Sequence, residues 1–193
     1  MEGTIRVAVL VVTFVVLIAS SSSRAQSSPS AKSGEEVAVL SGSGDIADWS
    51  GLSGAEATAK LLDQIPGTVM AVGDLAYPDG SKANFECYGR TWGSAKTRTR
   101  PAPGNHEFHA SGVTPYFDFF GTAAGDPKNG YYSYELGAWH IVVLNSECRA
   151  VGGCNAGSRQ EKWLREDLAV HPAFCTLAYW HVPLSSSGSA PRQ

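Results

Sequence analysis

With 193 residues, 43% of them hydrophobic, and a formal net charge of −3, the chain is long enough to bury the core of one domain. It carries no basic excess, so a nucleic-acid partner, which requires a basic stripe, is not expected. Glycine is abundant, at 21 residues, as in loop-rich α/β folds.

The N-terminus reads as a signal peptide over residues 1–25. Arg6 precedes an apolar run from Val7 to Ala19, and small residues around Ser23-Arg24-Ala25 supply a cleavage site. The run is shorter than the about 20 apolar residues of a comfortable membrane span. The expected product is secreted or periplasmic, without stable membrane association, and one charge unit more negative. Residues 26–36, polar and Ser-rich, read as a flexible leader.

The folded part begins with an expected strand from Val37 to Leu40, followed by Ser41-Gly42-Ser43-Gly44-Asp45. Apolar residues at Ala55, Thr58-Ala59 and Leu61-Leu62 predict an amphipathic helix over Gly54–Gln64, stopped by Pro66-Gly67. Thr68 to Val72 is a buried strand that Gly73 ends, leaving Asp74 and Tyr77 before the turn Pro78-Asp79-Gly80. Strand, helix, strand forms a parallel βαβ unit. Asp45 and Asp74 then leave the same sheet edge, where open α/β sheets place ligands. Two carboxylates converging there repel unless a cation lies between them.

Phe85 to Trp92 reads as helical or irregular. Lys96, Arg98 and Arg100 alternate as on a solvated strand face, and a short strand is expected over Arg98–Pro101. Pro103-Gly104 then forces a rigid turn that carries Asn105, His106, Glu107 and His109, a site candidate. The aromatic cluster Tyr116–Phe120 is expected to pack beneath it. Tyr131–Leu136 and Trp139–Leu144 form a hairpin around Gly137-Ala138, its second strand central. A helix is expected over Gly157–Val170, and a last buried strand, Thr176–Trp180, delivers His181 at its end. The domain is thus placed at 37–188, with a structureless tail at 189–193.

In an exported chain, an even cysteine count favours disulfides. A local clip between Cys148 and Cys154 is plausible, which leaves Cys87 with Cys175 by elimination. No C-x-x-C pair suggests a cysteine metal site. Asp48 and Asp79 read as turn residues, and His109, His140 and His171 match no ligand motif and read as structural or exposed.

Taken in order, Gly44-Asp45, Gly73-Asp74-x-x-Tyr77, Gly104-Asn105-His106-Glu107 and the strand-terminal His181 resemble the calcineurin-like metallophosphoesterase family. The resemblance spans about residues 37–188. The common form of that family has Asp-x-His at the first strand, whereas this chain has Asp45-Ile46-Ala47. With Tyr77 added, the pattern looks like the purple acid phosphatase branch. The resemblance implies an α/β/β/α sandwich of mixed sheets and two metal ions. Asp45, Asp74 and Tyr77 would bind the first, and Asp74, Asn105 and His181 the second. Iron would sit at the Tyr77 site, with iron, zinc or manganese beside it. His106 would steady the phosphoryl oxygens or protonate the leaving group, and Glu107 would orient His106 or His181 by a hydrogen bond. The implied activity is hydrolysis of a small phosphomonoester by a metal-bridging hydroxide. Alternatives are a phosphodiesterase or nucleotidase with the same metals, or an inactive secreted domain. The family's Gly-His-x-His element, one histidine for each metal, has no match here, so the chain reads as truncated before it.

Overall fold

The computed structural model describes residues 37–109 and 112–185. The expected signal peptide, leader and tail lie outside the described residues. In chain order the elements are β1 (Leu40–Ser43), β2 (Ala47–Asp48), α1 (Ser53–Leu62), β3 (Thr68–Val72), β4 (Ala76–Tyr77), α2 (Lys82–Thr91), β5 (Thr99–Ala102), α3 (Thr114–Phe120), β6 (Tyr132–Leu136), β7 (Trp139–Val143), α4 (Arg159–Val170) and β8 (Cys175–Tyr179).

Among the described residues the strands form two three-stranded sheets and a two-stranded extension, an α/β arrangement without a barrel. The first sheet, in order β1-β3-β5, is wholly parallel. The second runs β6-β7-β8, with β6 antiparallel to β7 and β8 parallel to it. Strand alternation explains how they stack. On β3, Val69 and Ala71 point into a core shared with Ala55, Ala59 and Leu62 of α1, Phe85 and Tyr88 of α2, and Tyr116 of α3. Met70 and Val72, one residue out of phase, join Ile141, Val143, Leu177 and Tyr179 of the second sheet. The two sheets therefore share an apolar layer, with α1 to α3 outside the first. Residues out of phase on the second sheet, Ser133 and His140, meet Asp167 of α4 on its other face.

Local chemistry accounts for most boundaries. Ser81 and Asn84 close a capping box at the start of α2, and the Ser158 hydroxyl caps α4 by accepting the Glu161 N–H. The hairpin turns at Gly137, whose φ of +60° suits glycine. Asp48 and Asp79 accept the N–H groups of Ser50 and Ser81, the turn roles expected of them.

Three expectations are corrected. The first strand begins three residues later than Val37, which is exposed, and runs through Ser41-Gly42-Ser43. Small residues are required there because a Cβ on Gly42 would fall on the Met70 carbonyl of β3. Lys96 and Arg98 do not alternate on a strand with Arg100. They lie in a 3₁₀ turn over Trp92–Arg98, and Arg98 donates to the carbonyls of Leu62 and Gly67. Cys148 and Cys154 are bonded, but Cys87 and Cys175 are free thiols. Cys87 is buried in α2 outside the first sheet, whereas Cys175 opens β8 of the second. β8 pairs with β7 alone among the described strands, and the neighbouring Phe174 and Val170 are exposed.

Candidate metal centre

The first sheet's register brings the two Gly-Asp pairs together. Ser43 lies opposite Ala71, and the ladder continues as the Asp45 N–H donates to the Gly73 carbonyl at 3.1 Å and Ile46 N–H to Asp74 O at 3.0 Å. Asp45 and Asp74 thus leave adjacent parallel strands one residue apart. Both take left-handed backbone, with φ of +56° and +52°. Aspartate tolerates this region better than most residues, and such outliers mark functional sites.

Tyr77, carried by β4 beside β2, closes over them. Its hydroxyl donates to Asp45 Oδ1 at 2.5 Å and lies 3.0 Å from Asp74 Oδ2. Burial, followed by the two carboxylates, pushes the phenol far above its usual range, so without a cation it stays protonated. His181 arrives from the end of β8. Its Nδ1–H donates to the Val72 carbonyl at 2.9 Å, which leaves Nε2 facing Asp74 Oδ2 at 3.3 Å. One donor atom each from Asp45, Asp74 and His181 falls within 4.8 Å of the others. Two glycines permit this closeness: a Cβ on Gly73 would strike the His181 ring at 2.4 Å, and one on Gly104 would lie 2.3 Å from Asp74 Oδ1.

The Pro103-Gly104 turn delivers the remaining residues. The His106 N–H donates to Asp74 Oδ1 at 2.9 Å. The His106 ring is held by Nδ1–H to the Pro78 carbonyl and by Tyr77, 4.4 Å away between ring centres. Its Nε2 stands 3.7 Å from Asp74 Oδ2, and the side chain is partly open to solvent. Asn105 sits between these anchors, and its side chain makes no hydrogen bond to the cluster among the described residues.

Glu107 departs from expectation. It bonds to neither His106 nor His181. Wholly buried, it accepts the N–H groups of Gly104 at 2.7 Å, Leu75 at 2.8 Å, Asp74 at 2.9 Å and Ala76 at 3.4 Å. It is a positioning residue that ties the β3–β4 connection to the Gly104 turn. Burial pushes its carboxyl up to about 7, against the N–H groups that favour its charge. Sequence reasoning also missed Glu147, on the loop after β7. Its Oε1 is buried without a partner, and burial raises its pKa, with Asp74 adding to the rise and His181 and His109 opposing it. No spacing in the sequence connects Glu147 to the cluster.

The Asp74–His181 pair makes a pH prediction for the chain in a chelator. Burial disfavours the His181 charge, but Asp74 and the Val72 bond outweigh it and raise the imidazole from 6.5 to about 9. Burial likewise opposes the Asp74 charge, yet His181 and the His106 N–H hold its pKa below 3.8. A raised histidine stabilises fully below its unfolded value and loses that stabilisation as pH climbs through its folded value. The urea midpoint should therefore fall between pH 6.5 and about 9. The fall should be shallower in His181→Ala.

An α/β fold that gathers two carboxylates, a phenol and an imidazole at the edge of a parallel sheet has the donor set of a metal centre. No protein-family model matches the chain. It is 30% identical over 142 residues to purple acid phosphatase 23 of Arabidopsis thaliana, covering 56% of this chain and 30% of the relative. The chain thus spans about 30% of the length of the curated relative it matches. This supports a distant metallophosphoesterase-like relationship. The described residues also show a disulfide and no helix long and apolar enough to cross a membrane.

Proposed function

We propose that the chain is a phosphoesterase acting on small phosphomonoesters outside the cytoplasm, and that the Asp45–Asp74–Tyr77–His181 cluster holds its metals. The convergence of Tyr77 on both carboxylates carries this reading, because a cation would satisfy the three oxygens together. Asp45, Asp74 and Tyr77 offer the hard oxygen donors suited to iron. Asp74 again, with Asn105 and His181, would hold a second ion, iron, zinc or manganese. Two such ions, when bound, supply an activated water nucleophile and charge neutralisation at phosphorus. The chain's own residues do the rest. Glu107 fixes the backbone under Asp74, the Val72 carbonyl fixes the His181 tautomer, and the Pro78 carbonyl holds the His106 ring with Nε2 beside Asp74. There His106 binds a phosphoryl oxygen or gives a proton to the leaving alcohol. The disulfide and the signal-like N-terminus support export.

The test is hydrolysis of a chromogenic phosphomonoester by the full chain loaded with iron and zinc or manganese, beside a diester of the same chromophore. Faster monoester turnover supports the proposal, faster diester turnover favours a phosphodiesterase, and none with metals bound sinks catalysis. His106→Ala should lower kcat about 10²- to 10³-fold with unchanged metal content. The backbone N–H that meets Asp74 survives the substitution.

A further inference from the structure

The outer face of the second sheet, under α4, carries a histidine–carboxylate cluster built from other strands than the centre above. Alternation on β6 and β7 turns Ser133, Glu135 and His140 toward α4. His140 is 1% exposed, with Nδ1 2.6 Å from Glu135 Oε1 and Nε2 2.7 Å from Asp167 Oδ2. Asp167 is buried, and its Oδ1 accepts the Ser133 hydroxyl at 2.7 Å. His171, which ends α4, donates its Nδ1–H to the Asp167 backbone carbonyl at 3.0 Å, with Nδ1 also 3.3 Å from the same Oδ1, and its ring lies 5.0 Å from that of His140. Its side chain is 48% exposed, so the cluster opens to solvent on that side.

The geometry points to a second metal site, taking one divalent ion of the zinc class through His140, Asp167 and His171. One donor atom from each lies within 4.8 Å of the other two. A tetrahedral zinc ion needs donors about 3.3 Å apart, so small side-chain adjustments admit it. Two imidazoles and a carboxylate are a zinc donor set that leaves a fourth position for water. Glu135 stands behind His140 as carboxylates stand behind zinc-bound imidazoles, fixing Nε2 as the ligating nitrogen. A structural ion pair explains His140 between two carboxylates and a helix-end hydrogen bond explains His171 Nδ1, but neither needs both imidazoles within ligating distance of one carboxylate. Binding breaks the His140 Nε2–H bond, whose proton leaves to solvent, and moves the His171 proton through solvent from Nδ1 to Nε2, giving up its bond to the Asp167 carbonyl. The site does not depend on the phosphoesterase reading.

The experiment is a Zn²⁺ titration of the full chain by calorimetry, repeated with Co²⁺ for its visible absorption. His171→Ala is the main variant, because the side chain is half exposed and its removal opens no core cavity. It should lose one equivalent of Zn²⁺, or bind that equivalent at least 10-fold more weakly, and lose the part of the Co²⁺ absorption that this equivalent carries. Arg165→Ala, at an exposed position of the same helix, should keep both. Glu135→Gln should weaken the site about 10- to 100-fold, which a folding failure of His171→Ala does not obscure. Equal Zn²⁺ stoichiometry and affinity in wild type, His171→Ala and Glu135→Gln would overturn the inference.

Discussion

Replacing Glu107 with alanine is expected to destabilise the chain by on the order of 4 kcal/mol. Four backbone N–H groups point at this one carboxylate, which is wholly buried. Each buried donor left without a partner costs about 1–3 kcal/mol, and water entering the space recovers part of the sum. The remainder is a large share of the roughly 5–15 kcal/mol that holds a domain folded. Glu107→Gln separates the hydrogen bonds from the charge. Its amide oxygen still accepts on one side, but its NH₂ group opposes two N–H donors, so a smaller loss of about 2 kcal/mol is expected. Because burial raises the Glu107 carboxyl from 4.5 to about 7, ionising it costs folding free energy. The wild-type chain should lose stability as pH rises through that interval, and Glu107→Gln should lack this component. Denaturant titrations at several pH values measure both effects.

Asp74→Asn is expected to have the largest functional consequence. The side chain is nearly isosteric, and Oδ1 still accepts the His106 N–H. What disappears is the charge shared by Tyr77 and His181 on Oδ2. Changes to residues behind a metal ligand already cost about 10- to 100-fold in affinity or activity, so on the proposed sharing of Asp74 by both ions its loss should exceed about 100-fold in each. Metal content by elemental analysis and turnover of the phosphomonoester should fall together. In chelator, the stability lost between pH 6.5 and about 9 should also shrink, since Asp74 is what lifts His181.

The sequence made the strand ends readable because their punctuation is local. Gly44-Asp45 and Gly73-Asp74 each follow a short apolar or small-residue strand, and the βαβ rule alone puts them at one edge. Tyr77 was expected to join the two aspartates, and the register of β2 on β4 explains how its phenol reaches both carboxylates. The role of Glu107 was not legible, because its partners are backbone N–H groups up to 33 residues away that no residue pattern records. For the same reason Glu147 and the His140–Asp167–His171 cluster escaped notice: their members lie on separate loops, strands and helix ends, joined only by packing. The first strand was misplaced since small residues, not apolar ones, line its approach to β3, where a Cβ on Gly42 would fall on the Met70 carbonyl. The Cys87–Cys175 pairing rested on parity, which says nothing of the layers that separate the two residues.

Anomalous diffraction from crystals of the full chain grown with iron and zinc tests the central claim most directly. Iron is expected beside Asp45, Asp74 and Tyr77 within about 2.0–2.2 Å of their oxygens, and a second ion on Asp74 toward Asn105 and His181. Anomalous peaks absent from Asp74, with Tyr77 still donating its proton to both carboxylates, would contradict it.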